Sequence, residues 1–141
     1  MIRNIKFSII VVSLNTKNDF IKTINSILNQ KYSNYEIIVI DGNSSDGTIQ
    51  EINKLKNKIK KKIIEKDKGI YHAMNKGIKY INSNLTVFLN SGDILSNRNI
   101  LSKINLIMQK HKEIDIIVGR NIVKSDFKYY SKYENSLIGD K

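Results

Sequence analysis

The chain has 141 residues, enough for one modest α/β domain and too few for two. It contains no cysteine, which excludes disulfides and thiolate metal sites, and its two histidines, His72 and His111, lack ligand spacing, so any metal must be held by oxygen. With 24 Lys and Arg against 13 Asp and Glu, the net charge is +11, which favours anionic partners such as nucleotides, phospholipid headgroups or nucleic acid.

Lys6 to Ser13 is rich in Ile and Val without clean alternation, the pattern of a strand buried on both faces of a parallel sheet. Arg3 and Lys6 ahead of Phe7 to Leu14 imitate a signal peptide, but the apolar run is short and no small-residue cleavage site follows it. No run approaches the ~18 apolar residues of a membrane span. Thr16 with Asp19 predicts a capping-box start for a helix that reaches about Asn29, with Phe20, Ile24, Ile27 and Leu28 inward. Tyr35 to Ile40 is a second buried strand, ending in Asp41-Gly42-Asn43-Ser44-Ser45-Asp46-Gly47-Thr48. A helix is predicted from about Asp46 to Lys58, with Ile49, Ile52, Leu55 and Ile59 inward. Six lysines between Lys54 and Lys62 read either as a solvated surface or as an anion-attracting patch.

Lys62 to Glu65 is a short third strand, and Ile70, Ala73, Met74, Gly77, Ile78 and Ile81 mark a third helix. Leu85 to Leu89 is a fourth buried strand, followed by the break Asn90-Ser91-Gly92-Asp93. Asn97 to His111 is a fourth helix, with Ile100, Ile104, Ile107 and Met108 inward. Asp115 to Gly119 is predicted as a fifth strand that Asn121 to Val123 extends or pairs with. The alternation implies an α/β fold, a mostly parallel sheet flanked by helices on both faces. Residues 6–124 form the core of one domain, and residues 125–141 are irregular and polar.

In such sheets ligands bind beyond the strand C-termini. Neither Gly-x-Gly-x-x-Gly nor a Walker A loop is present, so phosphates would need a cation. Mg²⁺ takes only one or two protein carboxylates, and Asp93 supplies one at a strand end; its other reading is a cap for the helix near Ser96. Asp41 either accepts hydrogen bonds from a base or ribose or closes an Asx-turn. Asp46 reads as a helix cap, and Asp67 as a nucleotide contact or a cap. His72 reads as a surface or packing residue or as a base. Tyr129, Tyr130 and Tyr133 among Lys128 and Lys132 make only a local basic-aromatic cluster, too small for a nucleic-acid groove.

Four segments together carry a more specific signal. Phe7 to Asn15, Tyr35 to Thr48, Glu65 to Ile78 and Phe88 to Asp93 resemble, in order and spacing, family 2 glycosyltransferases of the GT-A fold. They are most similar to the bacterial polysaccharide-building branch with a Leu-Asn-Ser-Gly-Asp acidic motif. The resemblance implies an inverting enzyme that transfers a sugar from a nucleotide-diphosphate donor, expected to be a UDP-sugar, to a glycan or lipid-linked acceptor hydroxyl. It implies that Ser13 and Asn15 lie at the base and ribose pocket, that Asp41 reads the nucleobase, that Asp67 lies by the nucleotide, and that Asp93 holds Mn²⁺ or Mg²⁺. Asn90 stands where many relatives carry an acid, and His72 where this branch carries Asp. Relatives continue beyond the equivalent of Lys141 into a segment with acceptor contacts and the general base. Asp115, Asp126, Glu134 and Asp140 do not match that base, so the expectation is a C-terminally truncated, donor-binding part. A cytoplasmic location with peripheral contact to the inner membrane face is expected, and no nucleic-acid partner. The rival readings are a non-catalytic nucleotide-sugar-binding fragment or partner subunit and a basic nucleic-acid-binding domain.

Overall fold

The computed structural model describes residues 4–113, 115–119, 123–125 and 128–130. In chain order the elements are β1 (Phe7–Ser13), α1 (Lys17–Leu28), β2 (Tyr35–Asp41), α2 (Thr48–Lys54), β3 (Lys61–Ile64), α3 (Ile70–Ile78), β4 (Leu85–Asn90), α4 (Ile100–Lys110), β5 (Val123–Ser125) and β6 (Lys128–Tyr130). The chain divides into two compact units, Met1–Lys110 and His111–Lys141.

In the first unit every residue of β1 is buried. A strand of Phe, Ile and Val can be buried throughout only with strands on both edges and cover on both faces. Parallel β2 and β4 supply the edges, and β3 pairs beyond β2, giving the order β3-β2-β1-β4. Side chains alternate between faces. Phe7, Ile9 and Val11 join Ile37 and Val39 against Phe20, Ile24 and Ile27 of α1, Ile52 of α2 and Leu101 of α4. Ile10, Val12, Ile38 and Ile40 pack against Ala73 of α3. Each such burial stabilises the fold by about 1.5–3 kcal/mol. Gly77 lets α3 approach β1 closely, because a Cβ there would come within 2.7 Å of Ile10 Cγ2.

Several local expectations change. Thr16 provides no side-chain cap, and its Oγ1 is buried without a hydrogen-bond partner. The Lys17 N–H donates instead to Asp46 Oδ2 at 2.8 Å, a charged and stronger acceptor. α2 ends at Lys54, short of the predicted Lys58, because the chain turns there to bring the Lys60 N–H to the Ile37 carbonyl and start β3. α4 buries Leu101 and Asn105, whereas Ile107 is 42% exposed. Asn105 Oδ1 accepts from the Ile5 N–H and the Tyr32 hydroxyl and so turns inward with Leu101, while Ile100, Ile104 and Met108 of the predicted face stay half-buried and Ile104 packs against the core. β4 is less buried than its composition suggests: Phe88 lies opposite Ile10 in the register and is 41% exposed, since α3 packs over β1 and β2.

In the second unit, residues 115–119 are not a strand, and Ile116 and Val118 are exposed. A β-branched run becomes a strand only where a neighbour takes its backbone hydrogen bonds. Val123 instead begins an antiparallel pairing of β5 with β6, in register with Tyr130. Asn121, Asp126, Lys132, Tyr133, Glu134 and Asp140 lie outside the described residues.

At the N-terminal end of β2, Glu36 is one of the two buried acids of the sheet. Its carboxylate pairs with Lys6 at 2.6 Å and Lys60 at 2.7 Å and accepts from the Ser8 hydroxyl and the Asn82 N–H. Burial alone would push its carboxyl up, but these four partners outweigh it and hold it at about 2, against 4.5 when unperturbed. Its stabilising contribution is therefore complete above pH 4.5 and is lost as pH falls toward 2, a difference of up to about 3 kcal/mol. Urea denaturation at pH 6, 4 and 3 should show this slope in the wild type and a flatter profile in Glu36→Gln.

Candidate functional site

β1, β2 and β3 succeed one another in one direction, while β4 lies on the other side of β1. The order therefore reverses at β1, and the crevice beyond the C-termini of β1 and β4 is the expected ligand position in an open α/β sheet.

Ser13 and Asp41 face each other at the ends of β1 and β2. The Asp41 carboxylate is fully buried. Its Oδ1 accepts from the Ser44 N–H, and its Oδ2 from the Ser13 and Ser44 hydroxyls, each at 2.7 Å. The carboxylate thus closes the loop on the N–H three residues on, and a cross-strand serine completes the arrangement. A carboxylate offers about four acceptor positions, so three donors leave room for one more. Asn15, at φ 52°, continues the cluster: its N–H donates to Ser44 Oγ at 2.8 Å, and its Oδ1 accepts from the Ser45 N–H at 2.8 Å. Asp46 then accepts from the Lys17 N–H and from the N–H and hydroxyl of Thr48, which serves the starts of α1 and α2 together. The Thr48 hydroxyl and the Lys17 N–H hold the Asp46 carboxyl below the usual value.

Asp67 approaches this cluster from the β3–α3 loop. Its Oδ2 lies 3.4 Å from where a Cβ on Gly42 would sit. Its Oδ1 is 2.5 Å from Lys76 Nζ, an ion pair without hydrogen-bond alignment. Lys76 also reaches Glu65 Oε1 at 2.9 Å and donates to the Lys66 carbonyl at 3.0 Å. Burial works against its charge, but Asp67 and Glu65 outweigh that and raise its ammonium above the usual value; Lys76 in turn lowers the Glu65 carboxyl. Asp67 therefore does not cap α3, whose N-cap, Gly69, makes no side-chain bond. His72 Nδ1 accepts from the Lys68 N–H at 3.2 Å, which places the neutral ring's proton on Nε2.

Asp93 is exposed, and its Oδ2 accepts from the Asn90 N–H at 2.8 Å, closing a turn through Gly92 at φ 105°. It does not cap α4, which begins at Ile100. Two contacts hold this turn at the edge: the Ser91 N–H and hydroxyl donate to the Val12 carbonyl, and the Gly92 N–H donates to Thr23 Oγ1. Asn90 Oδ1 is buried without a hydrogen-bond partner. An orphaned carbonyl oxygen three residues before an exposed carboxylate suits a hard, oxygen-seeking divalent cation. Among the described residues no three His, Cys, Asp or Glu side chains cluster as metal ligands, so protein would supply only part of a cation's shell.

Ser13, Asn15 and Asp41 thus form one bonded group, Asp67 comes against Gly42, and Asp93 reaches the same edge through β1 and α1. Ser44, Thr23 and Lys76 are the partners that sequence reasoning missed. Ser44 was legible in principle, because it lies three residues after Asp41 in a turn-forming Asp-Gly-Asn-Ser run. Thr23 acts across 69 residues and Lys76 across 10 from a different element, and neither carries a local signal.

The family model described as Glycosyl transferase family 2 matches residues 8–140. A PGL/p-HBAD biosynthesis glycosyltransferase of Mycobacterium tuberculosis is 28% identical over 122 residues, covering 84% of this chain and 48% of its own. The Escherichia coli UDP-Glc:alpha-D-GlcNAc-diphosphoundecaprenol beta-1,3-glucosyltransferase WfgD is 28% identical over 143 residues, covering 94% of this chain and 56% of its own. The solved structure of Staphylococcus aureus TarS in complex with UDP-GlcNAc superposes with a TM-score of 0.70 at 25% identity, over 87% of this chain and 38% of that one. The α/β fold is accordingly of the GT-A type. The chain spans about half the length of the curated relatives it matches.

Asp41→Ala leaves the Ser13 and Ser44 hydroxyls and the Ser44 N–H without their acceptor, and should cost about 2–4 kcal/mol in urea denaturation. A loss below about 1 kcal/mol would show that the loops hold their places without the carboxylate.

Proposed function

Because the chain belongs to glycosyl transferase family 2, we propose that it binds the donor in an inverting transfer of sugar from a nucleotide diphosphate, a UDP-sugar by preference, to an acceptor hydroxyl in surface-polysaccharide or glycolipid assembly. The observation that carries this reading is the gathering of Ser13, Asn15, Asp41 and Asp67 with the Asn90–Asp93 turn on one edge of a parallel sheet, at its switch point. In this reading Ser13, Asn15, Asp41 and Asp67 frame the nucleoside, with the buried Asp41 fixing the Ser13 and Ser44 loops at its base and the Oδ2 of Asp67 taking an N–H or O–H group.

Asp93 and Asn90 Oδ1 would hold Mn²⁺ or Mg²⁺, with water and phosphate oxygens completing the shell. When bound, the cation offsets the negative charge of the nucleoside-diphosphate leaving group. Electrostatics supports a cation here. Asp93 is exposed with no lysine paired to it among the described residues, so a diphosphate brought against it would be repelled without a cation. We assign no residue of this chain as the general base. A lipid-linked acceptor would place the protein in the cytoplasm against the inner membrane face, with basic residues toward anionic lipid. Among the described residues no helix is long and apolar enough to cross a membrane.

Calorimetric titration of UDP, with and without Mn²⁺, tests the reading. The wild type should bind only with the cation, and Asp93→Ala should weaken binding about tenfold or more. Equal binding by both proteins would remove Asp93 from the metal site.

A further inference from the structure

Lys76 is a lysine that the surface does not explain. It projects from α3, its side chain is only 13% exposed, and it enters the strand-end side of the fold. Three acceptors surround its ammonium: Asp67 Oδ1, Glu65 Oε1 and the Lys66 carbonyl. Its ammonium donates to the Lys66 carbonyl and is ion-paired with Asp67 and Glu65, so its charge is directed at the β3–α3 loop. The effect of Lys76 on a bound donor is then expected to pass through what it holds.

What it holds is the β3–α3 loop. Glu65 begins that loop, and its N–H is tied to the Asp41 carbonyl. Asp67, two residues on, is buried to 9% exposure, and without Lys76 its only neighbouring cation among the described residues would be a protonated His72, 3.5 Å from Oδ1. The pairing is one-sided: Lys76 engages Oδ1, while Oδ2 lies over Gly42 at the end of β2. Gly42 has no side chain to intervene, and a Cβ there would also come within 3.0 Å of Leu14 Cδ1. His72 does not compete for Asp67 in its neutral form, because its Nδ1 already accepts from the Lys68 N–H.

We infer that Lys76 is a positioning residue: it clamps Asp67 through one carboxylate oxygen and so presents the other at the β2 end to an N–H or O–H group of the nucleoside. The inference rests on the donor-binding reading above and deepens it. It makes a specific demand, that Lys76 matters only through Asp67. Removing the clamp should weaken nucleotide binding in wild type, and removing it after Asp67 has lost its charge should do nothing more.

The test is a double-mutant cycle of UDP affinity in the presence of Mn²⁺, with thermal melts confirming that each variant is folded. Lys76→Met should weaken UDP about tenfold, Asp67→Asn by a similar factor, and the double variant by no more than about twofold beyond Asp67→Asn alone. Lys76→Arg, which keeps the charge, should stay within about threefold of wild type. If Lys76→Met does not fold, Lys76→Gln takes its place in the cycle. Additive losses would overturn the inference, because Lys76 would then act on the ligand directly or on the fold at large. Unchanged affinity in the Lys76 variants would overturn it as well, while leaving the donor site intact. A wild type that binds none of UDP, GDP or TDP would overturn the donor-binding reading first and this inference with it.

Discussion

A carboxylate hidden from solvent is tolerated only where hydrogen-bond donors replace its water. Asp41 meets that condition with donors from two different loops: the Ser13 hydroxyl at the end of β1, and the hydroxyl and N–H of Ser44 beyond β2. The β1–α1 and β2–α2 connections are therefore one structure. Once Ser44 is fixed, its hydroxyl accepts from the Asn15 N–H, Asn15 accepts from Ser45, and Asp46 reaches the first N–H of α1. The left-handed backbone at Asn15 is held in place by these bonds.

The edge built in this way is acidic, in a chain that is strongly basic. Its acids are treated in three different ways. Asp41 and Asp46 are consumed largely by backbone and hydroxyl donors, Asp67 and Glu65 are neutralised by Lys76, and Asp93 stays exposed with one oxygen engaged. Only the last arrangement leaves a carboxylate open for a metal, and the orphaned Asn90 Oδ1 lies three residues before it. Under the proposed donor reading, the far field of the lysines would attract the anion from a distance and a cation at Asp93 would let its phosphates settle.

The parallel sheet was readable because its strands are nearly unbroken apolar runs bounded by Asn, Asp, Ser and Gly. The acids of the edge were readable for the same reason, since they sit where those runs stop. Finer features depended on contacts that no local pattern encodes. Asn105, a polar residue inside an apolar stripe, turns inward on α4 through bonds to Ile5 and Tyr32. The start of α1 is capped from Asp46, a long way along the chain, while the nearby Thr16 is passed over. Residues 115–119 carry strand-like composition with no strand, because composition does not supply a pairing partner. Geometry adds local detail on Asp41 and Asp67: the first accepts from the Ser44 N–H three residues on, and the second is ion-paired and does not cap α3.

The central claim is that the edge formed by Asp41, Asp67 and Asp93 is one donor site, with the nucleoside at one end and a cation at the other. The most direct measurement is amide NMR of the chain titrated first with UDP and Mg²⁺ and then with trace Mn²⁺, whose unpaired electrons broaden nearby signals. The account predicts UDP-induced shifts at Ser13, Asn15, Gly42, Ser44 and Asp67, and Mn²⁺ broadening centred on Asn90, Ser91, Gly92 and Asp93. Broadening centred elsewhere on the chain, or UDP shifts that avoid the ends of β1 and β2, would contradict it.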